Sequence, residues 1–205
     1  RRLPNADFVT PNVLAERRWV RGYVTSVGDA DNFRLFHTPG IGWRWPLKFR
    51  KIPQTPKELK DQTIHIRMSG VDAPEAAHFG REEQLYAKEA LAWLKATVER
   101  RFVYCQLVRK DQYSRIVANV HLPPRLLPGT MFTGRSVSLM MLRSGWGVVY
   151  EQTGAEYTAG GLQAYKRAEQ QAMYVSHVLS SRQSLRGMWK SGKPTESPAE
   201  YKKRY

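Results

Sequence analysis

Five runs of alternating apolar and polar residues, with an amphipathic helix pattern after the third, constrain this chain more than any other feature. "RWVRGYVTSV" and "FRLFH" flank the turn-forming "GDADN" and read as a hairpin. "TIHIRMSGV" is the third run, and "FVYCQLV" and "RIVANVHL", joined by the polar "RKDQYS", are the fourth and fifth. Between the third and fourth, Ala87, Leu91, Leu94 and Val98 fall at i, i+4, i+7 and i+11, which puts one apolar stripe on a helix from about Glu82 to Val98. "SVSLMMLRSG" predicts a second helix, ended by Gly145 in the left-handed conformation. A third starts near Leu162, with Tyr165, Ala168, Glu169 and Ala172 along it. The expected fold class is therefore α+β: a five-stranded OB-type Greek-key β-barrel decorated with about three α-helices.

The remaining stretches are irregular by composition. Residues 1–18, broken by Pro4 and Pro11, read as an N-terminal arm or juxtamembrane linker with one helical turn at most. Residues 38–62 carry four prolines and read as a long loop apart from "PKELK". The domain is expected over residues 19–190, and residues 191–205 read as a basic, extended C-terminal tail.

Charge narrows the partner. Lys+Arg 33 against Asp+Glu 18 gives +15, which favours a polyanion: nucleic acid or an anionic membrane surface. No run approaches the ~18 apolar residues of a membrane span. Cys105, the single cysteine, cannot form an internal disulfide and reads as a buried structural thiol. The chain begins with Arg1, as a processed or truncated product would.

Against that positive charge, "RMSGVDAPE" gathers two acids. Strand alternation sends Ile64, Ile66 and Met68 to one face and His65, Arg67 and Ser69 to the other. On a straight strand Arg67 and Asp72 would be about 16 Å apart at Cα, a span that a bend at Gly70 would shorten. Asp29 and Asp31 occupy the tip between the first two strands, and "KDQYSR" delivers Tyr113 and Arg115 to the fifth. Taken singly, each of these reads either as a solvated turn or as part of a site.

Their order and combination, D-x-D-N, then R-x4-D-x-P-E, then D-x-Y-x-R, resemble the staphylococcal nuclease (thermonuclease) family. "LRSGWGVVY" and "LRGMW" extend the likeness. "VTSVGDADNFRLFHTPG", "KELKDQTIHIRMSGVDAPEAAHFGR", "EALAWL" and "TGAEY" resemble one branch, the fungal nuclease-like endonucleases anchored in mitochondrial membranes. That branch carries a hydrophobic segment ahead of the nuclease domain. The resemblance implies a mitochondrial, membrane-anchored full-length protein and a hydrolase cleaving phosphodiester bonds of DNA and/or RNA with Ca²⁺, or with Mg²⁺ in its place.

It also implies roles. Asp31, Asp72 and the backbone carbonyl of Ala73 would bind the metal, Glu75 would hold or activate a water, and Arg67 and Arg115 would grip the scissile phosphate. Tyr113 would contact a nucleotide phosphate, and Asp29 and Asp111 match further acids of the motifs. The chemistry is coherent: Ca²⁺ takes about six to eight oxygen ligands, so three protein oxygens leave room for water and a phosphate oxygen. Arginine stays charged at any working pH and bonds two phosphate oxygens at once. Two positions depart from the family: Ala30 and Ser114 stand where glycine is usual, and either would be strained by about 1 kcal/mol if it required φ > 0.

The five histidines lack paired metal spacing and read as structural or surface residues. "GWRWPLKFRK" mixes Trp43, Trp45 and Phe49 with four basic residues; it either stacks on bases or pins a loop to the barrel. Beside the enzyme stand two other readings: a catalytically inactive nuclease-like nucleic-acid-binding module, and a membrane-surface adaptor that needs only the charge.

Overall fold

Every strand expected from alternation is present in the computed structural model, which describes residues 1–43, 48–77, 82–124, 134–158, 160–178, 187–189 and 197–204. The elements in chain order are α1 (Pro11–Ala15), β1 (Trp19–Asp29), β2 (Asn32–His37), α2 (Pro56–Leu59), β3 (Ile64–Met68), β4 (Val71–Asp72) and α3 (Ala87–Val98). There follow β5 (Phe102–Lys110), β6 (Ile116–His121), α4 (Val137–Arg143), β7 (Val148–Val149), α5 (Gly161–Val178) and α6 (Pro198–Arg204). Two compact units result: residues 1–28, 32–68 and 98–134 in one, residues 29–31, 69–97 and 135–205 in the other.

In the first unit β1, β2, β3, β6 and β5 form a closed barrel in that order. β3 and β6 run parallel while β1–β5, β2–β3 and β5–β6 are antiparallel, so the last barrel strand inserts between the third and the fourth, the crossover of an OB-type Greek key. Alternation fills the inside. Phe33, Leu35, Ile64, Ile66, Val103, Cys105, Leu107 and Ile116 are buried, while His65 and Arg67 on the other face of β3 are half-buried. Cys105 is the structural thiol expected, and burial alone pushes its pKa far up. The arm is more structured than one turn: a 3₁₀ turn at Ala6–Phe8 precedes α1, and Leu3 N donates to His37 Nδ1 at 2.8 Å. It is a strap, held because Arg2 also bonds Gln62 and lies over the ring of Phe36.

In the second unit the helices differ from expectation in instructive ways. α3 begins at Ala87, not near Glu82. Tyr86 has φ +69, and Gln84 N donates to the carbonyl of Glu75, which withdraws residues 84–86 from the helical path. Along α3 it is Ala90, with Ala87, Leu94 and Val98, that is fully buried, while Leu91 is half-buried at the edge of the stripe. α4 ends as predicted, with Gly145 at φ +73 donating to the Leu142 carbonyl. α5 buries Tyr165, Ala168 and Ala172 on one face, and Glu169 accepts a bond from Val149 N. Residues 198–204, expected to be extended, form α6. Ser197 and Glu200 cap it reciprocally and Pro198 opens it, a local signal that overrides the tail's polar composition.

Candidate functional site

Two clusters gather the residues singled out in the sequence, one in each unit. The acidic cluster begins at the bend after β3. Gly70 has φ +66, and a Cβ there would stand 2.5 Å from the Tyr165 ring, so only glycine lets the chain turn against α5. β4 then pairs with β7 in the register Val71↔Val149 and Asp72↔Val148. Two residues are too few for alternation to announce this strand, yet it fixes Asp72, whose side chain is only 2% exposed. Ala73 follows, buried, and the backbone of Glu75 is braced twice by Gln84: Gln84 N donates to Glu75 O at 3.0 Å and Glu75 N donates to Gln84 Oε1 at 3.1 Å.

The other acids come from the β1–β2 tip. Asp31 is buried, and Asp29 Oδ1 accepts from Ala30 N at 2.9 Å. Burial, then the charges of Asp31 and Glu75, push the Asp29 carboxyl up to about 6. Ala30 is buried without a positive φ, so the methyl group standing in place of glycine is not strained.

A lysine that nothing in the sequence analysis singled out closes this cluster. Lys202 Nζ lies 2.6 Å from Asp72 Oδ1 and 2.8 Å from Glu75 Oε1. Burial opposes its charge, but Asp72, Asp31 and Glu75 together hold its pKa above the usual lysine value. The four acids thus share a strongly negative environment, and a cation answers it.

The donor chemistry suits a hard, oxygen-seeking divalent cation: carboxylates, two of them already binding an ammonium group, with the main-chain carbonyl of Ala73 next in the chain to Asp72. Among the described residues no three His, Cys, Asp or Glu side chains gather closely enough to hold a metal by themselves. Two carboxylates fall below that count, so water and substrate would complete most of the shell.

The basic cluster lies at the start of β6. Asp111 organises a tight turn: its Oδ1 accepts from Tyr113 N and Arg115 N, both at 2.9 Å, and its Oδ2 accepts from Arg115 Nε at 2.7 Å. Although burial acts to raise it, these bonds hold the Asp111 carboxyl below its ordinary pKa. Asp111, whose role the sequence left open, is therefore the anchor of Arg115. Ser114 sits at φ +60, the left-handed conformation that its substitution for glycine put in question. Tyr113 is 69% exposed, with the Arg115 guanidinium 5.1 Å from its ring centroid. Arg67 stands on the neighbouring strand: β3 and β6 pair as Ile66↔Ile116 and Arg67↔Val117, so alternation continued one residue beyond β6 would put Arg115 on the face of Arg67.

The histidines described take structural partners. His37 accepts from Leu3 N, His65 pairs with Asn32 Oδ1 at 3.0 Å, and His121 with the Gly134 carbonyl at 2.9 Å. Of the aromatic-basic loop, residues 44–47 lie outside the described residues, as do 185–186 of "LRGMW" and 190–196 of the tail. Trp43 is buried with its Nε1 donating to the Pro39 carbonyl, which pins that end of the loop, whereas Phe49 is exposed.

A family model described as staphylococcal nuclease homologue matches residues 65–190. The chain is also similar to fungal proteins called probable endonuclease LCL3. One from Schizophyllum commune is 58% identical over 205 residues, covering 100% of this chain and 67% of the relative. One from Penicillium rubens is 45% identical over 213 residues, with 100% and 69% covered, and one from Aspergillus terreus 45% over 209, with 100% and 68%.

Proposed function

The chain belongs to the staphylococcal nuclease family, and from that premise we propose that this hydrolytic nuclease is a Ca²⁺-dependent, sugar-nonspecific endonuclease acting on DNA and/or RNA. The observation that carries the reading is a cluster of acids, Asp72 and Glu75 in contact with one cation and Asp29 and Asp31 within electrostatic reach of it, in a chain of net charge +15. Acids are gathered against the charge of the whole, as an oxygen-only metal site requires and as a module that merely binds polyanions does not.

Asp31, Asp72 and the Ala73 carbonyl would hold the metal, with Mg²⁺ as the alternative ion. When bound, the metal supplies positive charge for a non-bridging phosphate oxygen. Glu75 accepts the proton of the attacking water, and its doubly braced backbone supports a fixed aim for the carboxylate. The water oxygen bonds to phosphorus as the ester bond to the leaving oxygen breaks; the family resemblance makes the product 3′-phosphate-ended. Arg67 and Arg115 donate to the phosphate oxygens and strengthen those bonds as charge builds. Arg115 is pre-aimed by Asp111, and Tyr113 offers an exposed ring and hydroxyl to the nucleotide. No helix among the described residues is long and apolar enough to cross a membrane. The branch resemblance supports a mitochondrial, membrane-anchored location for the full-length product, which fractionation of expressing cells would test.

The deciding assay is cleavage of single- and double-stranded DNA and of RNA with Ca²⁺, Mg²⁺ or chelator. Cleavage is expected with Ca²⁺ and none in chelator. Full activity in chelator overturns the metal role, and tight binding without cleavage in either metal makes the nucleic-acid-binding module the better reading.

A further inference from the structure

α6 is a short helix assembled for docking. Ser197 Oγ accepts from Glu200 N at 3.2 Å while Glu200 Oε2 accepts from Ser197 N at 2.7 Å, Pro198 occupies the first turn, and Tyr201 is 2% exposed with its hydroxyl donating to the carbonyl of Glu82. The next residue carries its side chain to the acids: Lys202 Nζ reaches Asp72 at 2.6 Å and Glu75 at 2.8 Å. Only 34% of that lysine side chain is exposed. α6 also lies outside residues 65–190, the segment that matches the family model, so this contact is not carried by the matched part of the fold.

We propose that Lys202 is an internal cation that competes with the divalent metal for Asp72 and at the same time occupies Glu75, the residue assigned to the water, making α6 an intrasteric gate on metal occupancy. The proposal rests on the reading of the acidic cluster as a metal site. Ca²⁺ binds a carboxylate oxygen at about 2.3–2.6 Å, and Lys202 Nζ already sits at 2.6 Å from Asp72 Oδ1. Two cations cannot hold the same oxygen at that range without strong repulsion, so an ion bound through Asp72 Oδ1 must displace the ammonium group. Tyr201 and Lys202 are adjacent on a helix of seven residues, so withdrawal of the lysine loosens the docking of the whole helix. Reciprocity follows: whatever factor α6 docking takes from metal affinity, bound metal takes from α6 docking.

The test is Ca²⁺ binding by calorimetry on the full chain, for the parent, Lys202→Met, which keeps the length without the charge, and Lys202→Arg, which keeps the charge. Lys202→Met is expected to bind Ca²⁺ at least about tenfold more tightly than the parent, the weight of one charge-assisted contact; Lys202→Arg should remain near the parent. Hydrogen exchange across residues 197–204 should quicken in the parent when Ca²⁺ is added. Equal affinity of parent and Lys202→Met, with Asp72→Asn abolishing binding in both, overturns the gate and leaves the metal site standing. Ca²⁺ binding by neither protein overturns the metal reading and the gate with it.

Discussion

Asp111 and Asp72 are both carboxylates held beside a positive charge, yet Asp111 finds its partner four residues away and Asp72 finds Lys202 across 130. The first pairing is made by a turn that also satisfies the carboxylate with two backbone N–H groups. Once the turn forms, Arg115 is aimed, and almost no further chain entropy is lost in keeping it so. The second pairing depends on the docking of a separate helix, and the acid it serves sits among three others. A locally completed ion pair behaves as fixed apparatus, whereas one completed by a distant helix can be exchanged for another cation.

The largest effect should come from the exchangeable cluster. Glu75→Gln keeps the shape and the Gln84 brace but removes the proton acceptor, so turnover should fall by about 10²–10⁴ while nucleic-acid affinity persists. Single-turnover cleavage set beside binding at matched salt measures this. Turnover like that of the parent would show that the acids serve something other than chemistry.

Next in size is Asp111→Ala. It deletes three accepted bonds, two from backbone, and should cost about 2–3 kcal/mol in urea unfolding. Cleavage should also fall as Arg115 loses its aim, with Ca²⁺ affinity unchanged. A midpoint equal to the parent's would mean that the turn holds without its aspartate, and the contrast between local and distant pairing would collapse.

The smallest effect sharpens the local side. Ser114→Gly relieves a side chain held at φ +60, offset in part by the greater freedom of glycine in the unfolded chain. A net gain of up to about 1 kcal/mol is expected. Matched thermal unfolding curves decide it, and destabilisation would place the importance of Ser114 in its hydroxyl rather than its backbone.

Much of the barrel and of the basic cluster was legible in advance. Alternation in β3 assigned Arg67 to the outer face, and the spacing of Asp111, Tyr113 and Arg115 lies within one turn, where side chain and backbone meet without help from the rest of the chain. The start of α3 was misplaced because Gln84 belongs to the Glu75 brace, a contact that helical periodicity cannot register. α6 had a readable start in "SPAE", but the composition of the tail spoke against a docked helix. Lys202 carried no signal at all: it stands in "YKKRY", beside another lysine and an arginine of the same charge.

By itself the sequence determined what depends on near neighbours: strand alternation, the glycine stop of α4, the Asp111 turn and the order of acidic and basic motifs, because short-range sterics and hydrogen bonds act wherever those residues occur. Tertiary structure decided what depends on distance. It set Asp72 in a two-residue strand against Val148, fixed Glu75 through Gln84, and selected Lys202 from a basic tail as the cation on both acids. Charge attraction is indifferent to sequence separation, and only the docking of Tyr201 places one particular ammonium group within reach.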